Sequence, residues 1–132
     1  MMRVRTRIGP SDIQGLGLFA LQPITKGQTV WELDEDLDRV LTYAEYRRHP
    51  PLVRRWMNRF VYQSRTSRVI IFYSDDARFI NHQPVAVATV RSIPDRLKVA
   101  IRDIAVGEEL TEDYDIIERP HWHPYTRAAE GR

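Results

Sequence analysis

Gly107-Glu108-Glu109-Leu110-Thr111-Glu112-Asp113-Tyr114 is the stretch of this chain whose reading decides the fold. Its glycine is a turn residue, able to adopt backbone angles that a side chain forbids. A short strand-like run follows and closes on a tyrosine. Upstream stands Asp75-Asp76-Ala77-Arg78-Phe79-Ile80-Asn81-His82, and nearer the start Gly15-Leu16-Gly17-Leu18-Phe19-Ala20, a tight turn running into a strand. Around these segments the pattern is one of short strands. Val4-Arg5-Thr6-Arg7-Ile8 alternates with period two until Gly9-Pro10-Ser11-Asp12 breaks it. Lys26-Gly27 marks a turn before the strand Thr29-Val30-Trp31-Glu32-Leu33. Val69 to Tyr73, Val85 to Val90 and Leu97 to Ile101 are further strand candidates.

The middle of the chain reads as helical. Thr42-Tyr43-Ala44-Glu45 has capping-box spacing, the hydroxyl and the carboxylate each placed to meet an unpaired amide. Pro50-Pro51 stops that helix and opens a second, in which Leu52, Val53, Trp56, Met57, Phe60 and Val61 form an apolar stripe. Arg48, Arg54, Arg55 and Arg59 lie off the stripe, on a solvated face or a nucleic-acid contact. Many short strands with two central helices predict a mainly β, α+β domain rather than a βαβ array. Pattern alone does not name it.

Composition bounds the chemistry. The chain has 132 residues, 42% hydrophobic and 29% charged, which is one domain of ordinary globular composition. Twenty basic against eighteen acidic residues leave a net charge of +2, too little for a dedicated polyanion binder. Lysine occurs only at Lys26 and Lys98; the other bases are arginine. With no cysteine, the chain has no disulfide, thiolate zinc site or cysteine nucleophile. No apolar run approaches the ~20 residues of a membrane span. The expected protein is soluble and membrane-free, in the cytoplasm or elsewhere inside the cell, with a secreted effector left open.

Taken in order, the glycine turn, the Arg78-Phe79-Ile80-Asn81-His82 segment and the Gly107 to Tyr114 segment resemble the SET-domain family of protein lysine methyltransferases. The likeness runs over roughly residues 3 to 115. It implies a SET-type β-clip of small sheets, with a central helical insert and a pseudoknot where the Asn-His and Tyr segments cross. It also implies residues 1–117 as the domain and 118–132 as a tail closing over the cofactor and lysine pockets. The implied cofactor is S-adenosyl-L-methionine, and the implied partner is a protein carrying a basic, lysine-containing segment. Nucleic acid is not expected as a direct ligand. The oligomeric state stays open, a dimer included.

Residue by residue, the resemblance makes Tyr114 the catalytic group. Gly15, Leu16, Gly17, Arg78, Phe79, Asn81 and His82 become cofactor contacts, and Trp122 a stacking partner for the adenine. His82 is alternatively a packed pseudoknot histidine. Glu112, Trp31 and Leu33 border the substrate channel. Glu112 stands where many relatives carry Phe or Tyr, a position that governs how many methyls are added. As a carboxylate it restricts methylation or shifts the pH optimum upward, or else points to solvent. Trp31 either fills the channel or belongs to the core. After His82 the run Gln83-Pro84-Val85-Ala86-Val87-Ala88 departs from the family pattern. The acidic run Glu32, Asp34, Glu35, Asp36 and Asp38 is either a substrate-steering edge or a solvated turn. His121 and His123 are a weak metal pair, and no metal is expected. The competing reading is a SET-fold protein-binding module with little or no activity.

Overall fold

The chain's structure, a computed structural model, describes residues 1–64, 68–93 and 95–114. Strands β1 (Thr6–Pro10) and β2 (Leu16–Ala20) form an antiparallel hairpin in which Thr6 faces Ala20 and Pro10 faces Leu16. Gly9 and Pro10 therefore extend the first strand instead of ending it. Because β1 pairs only with β2, it is an edge, where a proline with no N–H is tolerated. Four more strands complete the main path: β3 (Thr29–Glu32), β8 (Val90–Ile93), β9 (Leu97–Ala100) and β10 (Glu109–Glu112). Their order is β1-β2-β10-β8-β9-β3, and the two-residue β7 (Asn81–His82) pairs with β10 off that path. A second sheet holds β4 (Arg39–Leu41), β6 (Ile70–Phe72) and β5 (Val61–Gln63), in the order β4-β6-β5. This is the mainly β architecture that the sequence predicts.

Two turns of the same design hold the main sheet together. Gly27 and Gly107 have φ of +88° and +87°, a region that side chains avoid. Their N–H groups donate to Ala100 O and Ala20 O, each at 2.8 Å. Ile24 and Ile104, each three residues ahead of its glycine, bridge one another and are 2% exposed. Leu18, Val30, Val90 and Leu110, all at most 1% exposed, pack around them as the core.

Helix α1 (Tyr43–Arg47) starts at the expected capping box, with Glu45 N–H donating to Thr42 Oγ1 at 3.1 Å and Thr42 N–H to Glu45 Oε2 at 2.8 Å. Helix α2 (Pro51–Met57) is shorter than its apolar stripe. Only Met57 of that helix is buried; Leu52 is 78% exposed and Trp56 about half exposed. The chain turns after Asn58, so Val61 leaves the helical face to enter β5. The expected strand Val85 to Val90 is also displaced. Pro84 starts a turn whose carbonyl accepts from Val87 and Ala88 N–H at 2.9 Å, and the strand begins only at Val90. Among the described residues, no helix is long and apolar enough to cross a membrane. The tail lid, Trp122, His121 and His123 lie outside the described residues.

The acidic run is mostly a capped turn. Asp34 Oδ1 accepts from Asp36 and Leu37 N–H, and Asp38 is buried. Asp38 accepts from Asp34 N–H at 2.9 Å and from the Ser74 amide and hydroxyl at 3.0 Å. Glu35 and Asp36 remain exposed. Burial alone would raise the Asp38 carboxyl. The Asp34 and Ser74 amides, the Ser74 hydroxyl and the nearby amino terminus together hold it below the ordinary value of 3.8. A depressed carboxyl stabilises the fold above its unfolded value, and that contribution is lost as pH falls through the folded value. Asp38→Asn is therefore expected to lower the melting temperature at pH 7 and to flatten its decline below about pH 4. Parallel acid limbs for the two proteins would show that Asp38 contributes nothing.

Candidate active site

Strand β10 brings the three sequence segments together. Parallel pairing sets Thr111 beside Asn81 and Glu112 beside His82. Two residues further on, the Tyr114 N–H donates to His82 Nδ1 at 3.0 Å, and the two rings lie 5.3 Å apart. The Tyr114 hydroxyl donates to the Ile80 carbonyl. Tyr114 is thus tied at its backbone and at its tip to the same three-residue segment, Ile80-Asn81-His82.

Asn81 faces the other way. Its amide nitrogen donates to Leu16 O at 3.0 Å and Glu109 Oε1 at 2.9 Å, with Gln14 O at 3.2 Å. Ser11 Oγ lies 2.9 Å from both Glu109 oxygens. Gly17 makes this arrangement possible, since a Cβ there would sit 2.1 Å from Glu109 Oε1. Gly15 has φ +46°, and a Cβ on it would meet open space. The expected cofactor contacts Gly15, Leu16, Gly17, Asn81 and His82 are therefore neighbours. Phe79 instead packs against the core, and Arg78 lies over the Phe60 ring at 4.8 Å.

The departure after His82 leaves this junction tied together. Gln83 N–H donates to Glu112 O at 3.1 Å, Thr111 Oγ1 to Gln83 Oε1 at 3.0 Å, and Val85 N–H to Asp113 Oδ2 at 2.8 Å.

Beside Tyr114 opens a cleft of roughly 410 Å³, its open mouth included, walled by Phe60, Tyr62, Tyr73, Ile80, Lys98 and Glu112, with Arg59 and Arg78 also on it. Glu112 does not point to solvent: it is 2% exposed. Its Oε2 accepts from Lys98 Nζ at 2.5 Å, and Lys98 is also 2% exposed. Nζ donates as well to Ser92 Oγ at 2.8 Å. The Tyr73, Tyr62 and Trp31 rings surround it at 5.3, 5.4 and 5.9 Å. Burial pushes the Tyr62 hydroxyl up to about 12, against the lowering effect of Lys98, so this phenol is neutral at ordinary pH.

Trp31 and Leu33, expected along the channel, do not line the cleft. Trp31 is buried with its ring edge-on to Tyr73 at 5.2 Å, and Leu33 packs against the core. The sequence reading missed Lys98, Tyr62 and Tyr73. The available signal was Lys98 itself, a lone charge in the apolar strand Leu97-Lys98-Val99-Ala100, where period two puts it on the face of the buried Ala100. Among the described residues no cluster of three or more His, Asp or Glu is placed to hold a metal.

Comparison with known proteins agrees with this geometry. The SET domain family model matches residues 15–115. Histone-lysine N-methyltransferase set1 of Dictyostelium discoideum is 32% identical over 85% of this chain, and N-lysine methyltransferase KMT5A-A of Danio rerio is 36% identical over 76%. Those alignments cover 8% and 32% of the respective relatives, so the chain spans about a third of their length or less. A solved structure titled as a candidate histone methyltransferase of Plasmodium falciparum superposes with a TM-score of 0.61 at 17% identity. It covers 86% of this chain and 95% of that one, and shares the fold.

Gly17→Ala tests the packing at the glycine turn. The added methyl must displace Glu109 from Ser11 and Asn81, at an expected cost of about 1–3 kcal/mol in unfolding free energy. Gly17→Ala combined with Glu109→Ala should cost clearly less than the sum of the two single changes. Additive losses would show that Gly17 and Glu109 do not meet.

Proposed function

The chain belongs to the SET domain family, and from that membership we propose that it transfers a methyl group from S-adenosyl-L-methionine to the side-chain amine of a lysine in a protein substrate. One observation carries the reading. The segment Ile80-Asn81-His82 holds the glycine turn through Asn81 and holds Tyr114 through the Ile80 carbonyl and the His82 ring. A donor site at the turn and an acceptor cleft at the tyrosine are thereby joined by three residues.

The residues at the turn suit the donor. Gly15 leaves the backbone open on its side, and Asn81 binds the carbonyls of Gln14 and Leu16 on either side of it, with His82 next in the chain. Gly15, Asn81 and His82, with Leu16 and Gly17, are the ones that would hold the donor. When bound, the donor supplies an electrophilic methyl on a sulfonium. A free lysine side chain has a pKa of about 10.4 and arrives largely protonated. Desolvation between the aromatic walls of the cleft lowers that value, so the amine sheds its proton without a dedicated base. Tyr62, kept neutral, is not that base. The Tyr114 hydroxyl directs its proton to Ile80 O and turns an acceptor oxygen toward the amine, which fixes the line of attack.

The test is transfer of labelled methyl from S-adenosylmethionine to a panel of basic proteins and a cell extract, with donor affinity measured by calorimetry on the same samples. Tyr114→Phe is expected to reduce kcat by about a hundredfold, the scale of a lost positioning contact, while leaving donor affinity within about twofold. Donor binding with no labelling by the wild type, and no effect of the substitution, would instead indicate a binding module.

A further inference from the structure

Lys98 and Glu112 form an ion pair that the motif does not explain. An interior pair persists only when the remaining hydrogen-bonding positions of both ions are met. On the lysine side they are: Nζ donates to Glu112 Oε2 and Ser92 Oγ, and three aromatic rings face it. On the glutamate side they are not. Glu112 Oε1 is buried and has no hydrogen-bond partner among the described residues, yet Glu112 lines the cleft that Tyr114 borders. A buried carboxylate oxygen left unmet at the wall of a cavity is an acceptor waiting for a donor.

We propose that Lys98 is a positioning residue of this cleft, holding Glu112 by Oε2 so that Oε1 stands as a fixed acceptor for an N–H of the target amine. The proposal rests on the methyl-transfer reading for the identity of the guest. Lys98 already occupies the aromatic surround of Trp31, Tyr62 and Tyr73, so those rings do not cage the incoming amine. The charges of Lys98 and Glu112 cancel within the pair. The pair therefore does not select the guest by charge; it counts N–H groups. A neutral primary amine aiming its lone pair at the donor methyl has two N–H groups, and a monomethylated amine has one. A dimethylated amine has none and leaves Oε1 unmet. Unmethylated and monomethylated lysine are thus accepted, and the product series ends at dimethyllysine.

Two probes of side-chain size read this without any turnover: n-butylammonium and n-butyltrimethylammonium, titrated against the full chain while the Tyr62 and Tyr73 ring resonances are followed by NMR. The wild type should bind the N–H-bearing probe about tenfold more tightly, the scale of one buried hydrogen bond to a charged group. Lys98→Met should narrow the gap to about twofold, and Lys98→Arg should recover part of it. Lys98→Leu with Glu112→Phe replaces the pair by apolar groups, a change such sites often tolerate, and should abolish the gap without loss of folding. A wild-type gap that persists in Lys98→Met reduces Lys98 to a counter-ion and overturns the proposal. So does a gap that survives in the double variant, or no gap in the wild type. A clear gap in a wild type that transfers no methyl supports the clamp and removes the transfer reading. Trimethyllysine formed as fast as dimethyllysine removes the clamp and leaves the transfer reading intact.

Discussion

The parallel pairing of β7 with β10 is the contact on which the rest of the site depends. It joins residues 30 positions apart in the chain, Asn81 with Thr111 and His82 with Glu112. Side chains three apart on a strand point to opposite faces. Glu109 accordingly reaches Ser11 and Asn81 beside the glycine turn, while Glu112 reaches Lys98 beside the tyrosine cleft. One four-residue strand thus serves two pockets from its two faces. A register slip of one residue would exchange those faces and dissolve both.

That division explains why two carboxylates so close in sequence have different tasks. Glu109 is half-buried, and its acceptor positions are taken up by a hydroxyl and an amide. Its role is architectural, and Gly17 is the glycine that leaves room for it. Glu112 is fully enclosed, where an unpaired charge is strongly unfavourable. A cation had to be buried with it, and Lys98, on β9 two strands away in the same sheet, is that cation. Ser92 and three rings complete the lysine's surroundings, so within the ion pair the unmet position is Glu112 Oε1, at the cleft.

Much of the fold was legible because its turns and strands are locally encoded. The capping box at Thr42 and Glu45, the turns at Gly27 and Gly107 and the strands around Val30, Ile71 and Val99 all lie where local pattern puts them. The failures have a common cause in non-local demand. The apolar stripe after Pro51 could satisfy a helix, but Val61 was needed to pair with Phe72 in the second sheet. Val85 and Val87 have strand propensity, but Pro84 turns the chain before it can pair. At the site, the segment order marks Asn81, His82 and Tyr114 as neighbours. Nothing local marks Lys98 as the partner of Glu112, since their contact depends on how β8, β9 and β10 lie in one sheet.

The altered run after His82 is where sequence pattern and physical structure separate most clearly. A family motif records which residues usually perform a task, not the task itself. Here the task is to leave β7, turn, and return as β8 alongside β10 without opening the junction. Gln83 meets it by accepting the Thr111 hydroxyl, Val85 by donating its amide to Asp113, and Pro84 by starting the turn that delivers Thr89. Thr89 then exchanges backbone and hydroxyl bonds with Thr111 of β10, the residue that pairs with Asn81 and precedes Glu112. These bonds tie the run to Thr111, Glu112 and Asp113, the residues immediately ahead of Tyr114, whose own ties are to His82 and Ile80. The departure changes the chemistry of the turn and preserves the constraint that the turn exists to meet.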